Sequence, residues 1–438
     1  MVKPAKSMGQ RRQEWITAVV ADAKGQIFDL KEYASVGMAG DTRCLLTISD
    51  TTPLPYGSEL MYLPQRRPVL YHIRKKRFER LENNPYRPSE PIYPVAAFNS
   101  PGYIAQFVCA FEETNRAEVL PLFSYGAVGW AKGNFRSAVI QVDREKRQDL
   151  RYMKEKDVRA GVVSMQKKMP ANRLRRHLET CALRYGCPAG KNFFLGRYEA
   201  PLPTAQTCNA RCLGCLSFQP ETVISCSQER IGFTPTPAEI AEIALTHIQR
   251  VKKSIVSFGQ GCEGDPLLSA GVIDPAIRQI RAQTDRGTIH MNTNGSLPHT
   301  LGQLFDAGLD SVRISINSLR PPCYHAYFRP KHYSFQNVMQ SIYLAKDRGK
   351  HVALNYLNLP GVTDAPEEIE SLFSLLSQSV VDMIQWRNMN FDPLCYWRVM
   401  QNAAPSGKPV GMKQLLQTVR RQFPKIKNGY FNPPKESF

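Results

Sequence analysis

The chain has 438 residues, of which 42% are hydrophobic and 22% charged, as in an ordinary globular protein. That length predicts two or three domains rather than one small core. The sequence has no run of about twenty apolar residues, and no apolar stretch follows Arg11 and Arg12, so it predicts neither a membrane span nor a secretory signal.

Charge is the unusual bulk property. The formal net charge of +19 favours an anionic partner, either nucleic acid or a charged small substrate. Basic stretches at 66–80 and 167–177 are interleaved with Tyr71, Phe78 and leucines, which suits a nucleic-acid surface. The exposed face of a strand or helix is the more frequent source of such a pattern, so both interpretations stay open.

The first 165 residues are predicted to form a β-rich domain. Short apolar or alternating runs at 43–48, 103–108 and 138–142 are separated by clusters of Pro, Gly, Asn and Asp. A connecting helix is predicted over 166–189, because apolar residues recur on one face of that segment until a Gly and a Pro stop the pattern.

Cysteines mark the segment that follows. The 11 cysteines of the chain are an odd number and partly clustered, which fits metal ligation in a reducing compartment, and hence the cytoplasm, better than a disulfide framework. Cys208, Cys212 and Cys215 can converge only if the backbone between them curls tightly. Three thiolates can hold three irons of a cubane and leave the fourth iron open. A zinc site with Cys226 as fourth ligand is the competing assignment.

Two further cysteines lie in the connecting segment. Cys181 and Cys187 are separated by six residues, a spacing that is not diagnostic of a metal site. They are either ligands of a second cluster or, the assignment we favour, buried structural thiols.

Residues 190–400 alternate between predicted strands and helices. A capping box at 236–239 opens a helix to about residue 252. Strands are predicted near 194–198 and at 254–258, 288–292, 311–317, 351–356 and 383–387. About six β/α units result, which favours an α/β fold with a parallel sheet curled into a partial, TIM-like barrel. Residues 401–438 are predicted to pack back on the barrel or to close its open side.

The carboxyl ends of the predicted strands carry polar or glycine-rich segments. In parallel β/α folds ligands bind at this end of the sheet. One mouth would therefore be lined by the cysteine loop and by residues 259–266, 292–295, 313–317, 355–358 and 387–392. The polar and aromatic stretch 386–392 is where we expect substrate contacts.

The loop of Cys208, Cys212 and Cys215, placed after a first strand and before a β/α series, resembles the signature of the radical S-adenosylmethionine (SAM) superfamily. The resemblance covers residues 190–395. It implies that the three cysteines hold a [4Fe-4S] cluster, that SAM chelates the fourth iron, and that one electron from a reductant such as flavodoxin or ferredoxin cleaves SAM to a 5′-deoxyadenosyl radical.

The segment Glu263-Gly264-Asp265-Pro266 is similar to the glycine-glycine-glutamate-proline motif of that superfamily, which receives the ammonium group of SAM. Asp265 stands where the motif has glutamate, and Glu263 replaces its first glycine. The resemblance also implies cofactor contacts for Arg313 and Ser315, which suit a carboxylate and a hydroxyl, and more weakly for further strand-end amides, Asn292 and Asn355.

Two other features bear on the reaction. Gly214 takes the place before the third cysteine where the superfamily usually has an aromatic residue. Cys395 is a weak candidate for delivering a hydrogen atom to a product radical, or for ligating an auxiliary cluster with Cys226 or Cys262; a half-buried thiol without such a role is the simpler assignment. No cysteine-rich motif follows the barrel.

We therefore expect a radical SAM enzyme with an unidentified substrate, RNA being weakly favoured by the net charge. The alternative is a nucleic-acid-binding protein whose cysteines hold a structural metal.

Overall fold

The structure, a computed structural model, describes residues 14–220 and 224–438. It combines an antiparallel β region, three helices and a parallel sheet flanked by helices. The prediction of a β-rich region followed by a partial TIM-like α/β barrel is therefore confirmed. Within the two described ranges, no helix has the length and apolarity needed to cross a membrane.

The β-rich region is an antiparallel assembly whose main sheet has the strand order β14-β7-β2-β1-β11-β15-β13-β3-β4, with β5, β6, β8 and β16 added at its sides. Its strands are β1 Thr17–Ala21, β2 Ile27–Ala34, β3 Val36–Ala39, β4 Thr42–Leu45, β5 Thr52–Pro53, β6 Glu59–Tyr62, β7 Arg66–His72, β8 Arg77–Arg80, β9 Asn83–Asn84, β10 Arg87–Pro91, β11 Tyr93–Phe98, β12 Tyr103–Ala105, β13 Val108–Cys109, β14 Phe111–Glu113, β15 Gly126–Ala131, β16 Asn134–Ser137 and β17 Val139–Gln141.

Three helices occupy the predicted connecting segment and extend beyond both of its ends: α1 Glu155–Lys168, α2 Arg173–Leu183 and α3 Pro188–Leu195. The predicted boundary at residue 165 falls inside α1. The strand predicted near 194–198 is wrong in position, because α3 reaches Leu195 and the strand begins at Glu199. Pro188 at the first turn of α3 and Gly196 at its end, with φ of 63°, are the start and stop signals that sequence reasoning missed.

The barrel sheet is parallel throughout, with strands in sequence order. Its strands are β18 Glu199–Pro201, β19 Ile255–Phe258, β20 Thr288–Thr293, β21 Ser311–Ile316, β22 His351–Asn358, β23 Met383–Asn388 and β24 Lys427–Gly429. The connecting helices are α4 Pro237–Arg250, α5 Ala270–Arg281, α6 Pro298–Ala307, α7 Pro321–Phe328, α8 Phe335–Asp347, α9 Pro366–Ser377, α10 Pro393–Ala403 and α11 Met412–Gln422.

The two faces of this sheet differ in polarity, as strand alternation requires. Residues such as Ile289, Val312 and Ile314 are fully buried in the main core. The other face carries polar side chains that bond across strands; the Nη1 group of Arg313, for example, donates to Oε1 of Gln385 (2.6 Å). The barrel interior is therefore polar while its outer face packs under the helices.

The C-terminal extension closes one side of the barrel. Strand β24 pairs with β23 and adds a seventh strand to the predicted six. Beyond it, the side chain of Asn432 donates to Glu199 (2.8 Å) and accepts from Gln385 (2.9 Å), which links the first strand to the sixth.

Candidate cluster and cofactor site

The cysteine loop follows β18, at the carboxyl end of the barrel sheet. The N–H of Arg211 donates to the carbonyl of Phe328 (2.9 Å), and the N–H of Leu213 donates to the carbonyl of Tyr327 (3.0 Å). Both carbonyls belong to the last turn of α7, where helical carbonyls lack intrahelical partners. The end of α7 therefore holds the loop in shape, a contact that no local sequence pattern predicts.

The loop places donors near two of its sulfurs. The N–H of Ala210 donates to Sγ of Cys208 (3.4 Å), and a guanidinium N–H of Arg230 donates to Sγ of Cys215 (3.6 Å). Burial, with Asp265 nearby, raises the pKa of the Cys208 thiol to about 12, and burial raises the pKa of Cys212 well above its usual range. Ligation of a metal by these two thiols would offset this cost of ionisation.

The spacing of the three sulfurs separates the two metal assignments. Ligands of a single ion lie close to one another, whereas each thiolate on a cubane binds a different iron. In the described parts of the chain, one group of metal-ligating residues has all of its ligand atoms within 4.8 Å of one another, and it is not formed by Cys208, Cys212 and Cys215. The three sulfurs of the loop are thus spread more widely than that group, as ligands of different irons are.

Gly214 has a structural reason for being glycine. A Cβ at this position would lie 3.0 Å from the hydroxyl of Tyr327 and 3.0 Å from the carbonyl of Asn390. The space that an aromatic side chain would need at this position is thus occupied by an aromatic residue of α7. The departure from the superfamily pattern follows from the packing of α7 against the loop.

Gly264 joins the second motif to the cysteine loop. Its N–H donates to the carbonyl of Ala205 (2.6 Å), and the next N–H, of Asp265, donates to the carbonyl of Thr207 (3.0 Å). A Cβ on Gly264 would lie 1.8 Å from the Thr207 carbonyl oxygen. Only glycine permits this approach, directly before Cys208.

Glu263 is buried and bonded to backbone on two sides. One carboxylate oxygen accepts from the N–H groups of Thr204 (2.7 Å) and Ala205 (2.9 Å), and the other accepts from those of Gly259 and Gln260 (2.7 Å each). Burial raises the pKa of this carboxyl to about 7, against the lowering effect of the four bonds. Glu263 thus ties the segment after β18 to the segment after β19.

Asp265 performs a similar task on the next strand. Its carboxylate accepts from Oγ1 of Thr293 (2.8 Å) and from the N–H groups of Asn294 (2.7 Å) and Leu267 (3.1 Å). Burial raises its pKa above the ordinary range. Both acidic residues of the motif are therefore engaged within the protein, and a cofactor contact of either side chain stays a prediction.

Asn292 and Asn209 complete the links between strand ends. The side chain of Asn292 donates to the carbonyls of Phe258 and Gly259 (3.0 Å each). Asn209, inside the cysteine loop, accepts from the side chain of Asn294 (2.8 Å) and donates to Ser296 (2.9 Å). Sequence reasoning missed Asn209, although its place between Cys208 and Cys212 was a usable signal.

Arg313, Ser315 and Asn355 lie on the polar face of the sheet. The side chain of Asn355 donates to Oγ of Ser315 (3.2 Å), its partner in the strand register. Arg313 donates to Gln385 and, more distantly, to Oδ1 of Asn432 (3.4 Å). The structure brings the three residues into the barrel; their contacts with a cofactor stay predictions.

Two residues of the stretch 386–392 bond the β-rich region to the barrel. The side chain of Asn388 accepts from the N–H of Ala105 (2.9 Å) and donates to the carbonyl of Tyr103 (3.0 Å). Asp392 pairs with Arg66 (3.1 Å). Arg387 lies on the same face of its strand as Gln385, and substrate contacts of this stretch stay a prediction.

Cys395 lies in the first turn of α10, where its N–H donates to Asp392 (3.1 Å). Burial raises the pKa of its thiol. Across the described ranges it joins no close metal-ligand group with Cys226 or Cys262. A role in hydrogen-atom transfer stays a prediction.

Most cations of the first basic stretch pair with neighbouring carboxylates, and two cations of the second stretch do so. Ion pairs in the first stretch are Arg66–Asp392, Arg67–Glu82, Arg74–Glu32, Lys75–Glu79, Arg77–Glu79 and Arg80–Glu112, and those in the second are Arg173–Glu239 and Arg175–Glu179. Paired cations offer less to a phosphate backbone, so the preference for RNA gains no support from these stretches.

Known proteins resemble part of the chain. It is 29% identical over 240 residues to molybdenum cofactor biosynthesis protein 1 of Bos taurus, covering 53% of this chain and 34% of that protein. It is 30% identical over 161 residues to GTP 3′,8-cyclase of Heliobacterium modesticaldum, covering 36% of this chain and 45% of that enzyme. The chain thus spans about a third to a half of the length of these relatives.

Among solved structures, methylornithine synthase is 16% identical, with 63% of this chain and 75% of that chain covered. Its TM-score of 0.37 is too low to establish a common fold. Residues 202–376 match the family described as the radical SAM superfamily. That range contains the three cysteines, the Glu263 to Asp265 segment and the interior strands. This match assigns residues 202–376 to the radical SAM superfamily, a family of enzymes that bind a [4Fe-4S] cluster and SAM.

Proposed function

We propose that the protein reductively cleaves SAM at a [4Fe-4S] cluster and uses the resulting radical on an anionic small molecule. The observation that carries this proposal is the contact between the cysteine loop and the second motif. Gly264 and Asp265 bond to the backbone of Ala205 and Thr207, immediately before Cys208. The segment that meets the amino acid part of SAM in the superfamily is therefore fixed against the segment that holds the iron.

The chain would enclose the cluster and SAM, which when bound would supply a 5′-deoxyadenosyl radical after an external reductant has delivered one electron. Cys208, Cys212 and Cys215 would ligate three irons, and the Arg230 donor beside Cys215 would stabilise the negative charge on that sulfur. Tyr327 and Phe328 hold the loop while Glu263 and Asp265 hold the strand ends. A reductant such as flavodoxin or ferredoxin is the expected partner.

Two arginines inside the barrel support an anionic substrate. Arg313 contacts amide oxygens of Gln385 and Asn432 rather than a carboxylate, and the guanidinium of Arg387 lies 3.9 Å from the ring centre of Tyr430. The Nε atoms of both arginines are buried without a hydrogen-bond partner. Burial, together with repulsion from Arg387, lowers the pKa of Arg313 to about 9. An anion placed between the two guanidiniums would relieve this cost.

GTP is the first substrate to test, because curated relatives are named GTP 3′,8-cyclase. A nucleotide presents phosphates that two guanidiniums bind well. RNA, which the net charge favoured, is the second candidate in the same assay.

Anaerobic reconstitution tests the proposal. We expect brown protein with about four irons per chain and dithionite-dependent release of 5′-deoxyadenosine from SAM. Cys212→Ala should lose both, and Cys44→Ser, which removes a thiol of the β-rich region, should keep both. Colourless protein with one zinc at the loop and no cleavage would refute the proposal. A rise of 5′-deoxyadenosine yield with GTP but not with guanosine or total RNA would support the substrate class.

A further inference from the structure

A second cluster of metal-ligating side chains lies outside the cysteine loop. His177 and Cys181 are on α2, and Cys262 is in the segment after β19, directly before Glu263. Their ligand atoms all lie within 4.8 Å of one another. His177 and Cys181 are four residues apart, so they share one face of the helix.

The distances at this cluster match those of ligands around one ion. Nε2 of His177 lies 3.4 Å from Sγ of Cys262 and 3.5 Å from Sγ of Cys181. Tetrahedral zinc, with bonds of about 2.3 Å to sulfur and about 2.0–2.1 Å to nitrogen, separates a sulfur and a nitrogen ligand by about 3.6 Å. The single Nε2 atom is thus nearly equidistant from two sulfurs, at the separation that ligation requires.

Hydrogen bonding alone accounts poorly for this arrangement. One ring nitrogen has one hydrogen-bonding direction, and it is either a donor or an acceptor. A thiol is a weak partner in both senses. A metal ion at the centre of the three atoms would use the nitrogen lone pair and both thiolates at once.

We propose that His177, Cys181 and Cys262 bind one divalent cation of the Zn²⁺ class. Two thiolates with an imidazole form a ligand set that favours zinc over magnesium or calcium, which prefer oxygen. The thiolates balance the charge of the ion. The three protein ligands leave the fourth tetrahedral position to a water molecule or to another side chain.

The position of the ion suggests its role. Cys262 adjoins Glu263, whose carboxylate links the segments after β18 and β19. The carbonyl of Cys262 also accepts from the N–H of Ile231 (2.8 Å). An ion bound to Cys262 and to two residues of α2 would therefore anchor the segment of the second motif to the helices that precede the barrel.

The ion can reach this site. Cys181 and Cys262 are buried, with 2% and 5% of their surface exposed, but His177 is only half-buried. Its ring lies edge-on to Phe233 at 6.4 Å between ring centres. The imidazole therefore marks the side from which the ion would enter.

Metal analysis of the full chain tests the site independently of the [4Fe-4S] cluster. Protein with its cluster reconstituted should hold about one zinc per chain beside about four irons. Cys181→Ser and His177→Ala should each lose that zinc and keep the iron. Cys44→Ser is the matched control for removing a thiol and should keep both metals. Replacement of zinc by Co²⁺ should give thiolate-to-cobalt absorption that Cys181→Ser abolishes.

Four results would overturn the site. One is wild-type protein without bound zinc or Co²⁺ absorption; another is equal zinc content in wild type and both variants. The third is a Cys181–Cys262 disulfide in the purified protein. The fourth is iron instead of zinc at this site. If Cys181→Ser fails to fold, the zinc content of His177→Gln decides, because His177 is only half-buried. Loss of zinc in that variant supports the site, and full zinc content contradicts it. The [4Fe-4S] assignment is tested separately, because its test measures iron content in Cys212→Ala.

Discussion

Glu263 departs from the superfamily motif, yet its carboxylate holds the motif segment in place. The glycine that it replaces would leave four N–H groups of the neighbouring segments without this acceptor. The Glu263 carboxylate instead accepts from all four. Because a buried carboxylate is stabilised by such donors, the residue connects two strand ends at the cost of burying a charge. The departure therefore strengthens the frame around the cofactor segment.

Gly264→Ala should abolish cluster assembly. The new Cβ would lie 1.8 Å from the Thr207 carbonyl oxygen, so the segment before Cys208 must move. We expect iron content after reconstitution to fall from about four to near zero per chain. Iron analysis and the absorbance of the brown chromophore check this.

Gly271→Ala is the control for that substitution. Gly271 lies in α5 with open space around its Cβ position. Alanine there should keep the iron, because its Cβ would meet no atom within 4 Å. Full iron content in Gly264→Ala would contradict the proposed contact.

Arg387→Gln should weaken binding of an anionic substrate. Losing a hydrogen bond to a charged group costs about 1.5–3 kcal/mol, which corresponds to about 10- to 100-fold in affinity. The substrate-dependent part of 5′-deoxyadenosine formation should therefore need more GTP, while cleavage without substrate stays. Arg398→Gln, in an exposed pair with Glu113, is the control. Unchanged GTP dependence in Arg387→Gln would exclude that arginine from the substrate site.

At the scale of elements, the order of barrel strands and helices was predictable because each has its own local signal. Strands β19 to β23 and the capping box of α4 were recognised from such patterns. Strand β24 was not, since Lys427–Gly429 has no strand-like composition and exists only through its pairing with β23. The convergence of Cys181 with Cys262 was equally hidden, because tertiary packing alone brings α2 to that segment.

Helix α4 carries a buried histidine that should make the protein sensitive to acid. Nε2 of His247 lies 3.3 Å from the carbonyl of Tyr198, and burial lowers its pKa to about 4. An unfolded histidine titrates near about 6.5, so from there down to pH 4 the unfolded chain binds a proton that the folded chain does not. This contribution to stability is present above pH 6.5 and is lost as pH falls toward 4.

His247→Gln should flatten this dependence. Between pH 7 and pH 5 the free energy of unfolding of the variant should fall by about 2 kcal/mol less than that of wild type. Urea unfolding at the two pH values measures the difference. His299→Gln, which removes an exposed histidine, is the control. Equal pH slopes for wild type and His247→Gln would contradict the prediction.

At the scale of the whole molecule, the β-rich region and the barrel are joined by a buried ion pair. Arg66 and Asp392 are 3.1 Å apart with side chains 2% and 0% exposed. Asp392 also accepts from the N–H groups of Leu120 (3.1 Å) and Leu394 (3.0 Å). Their separation of 326 residues made this contact invisible to sequence reasoning.

Arg66→Ala should destabilise the protein strongly. The substitution leaves the Asp392 carboxylate buried without its cation, a loss that typically costs about 3–5 kcal/mol. A large drop in the urea midpoint is expected. Arg80→Ala, which breaks the exposed pair with Glu112, should change the midpoint little. Similar midpoints for the two variants would show that the region is joined by other contacts.

The side chain of Asn432 has a consequence for how the barrel forms. It bonds to Glu199 across 233 residues and to Gln385 across 47. Contacts this distant in sequence raise contact order. High contact order slows folding, because the entropy of closing a long loop is lost before the contact stabilises the chain. The first strand cannot gain this partner until the region beyond β24 has been synthesised. This side of the barrel should therefore close last, and a slow folding phase that depends on the C-terminal segment is the expected kinetic signature.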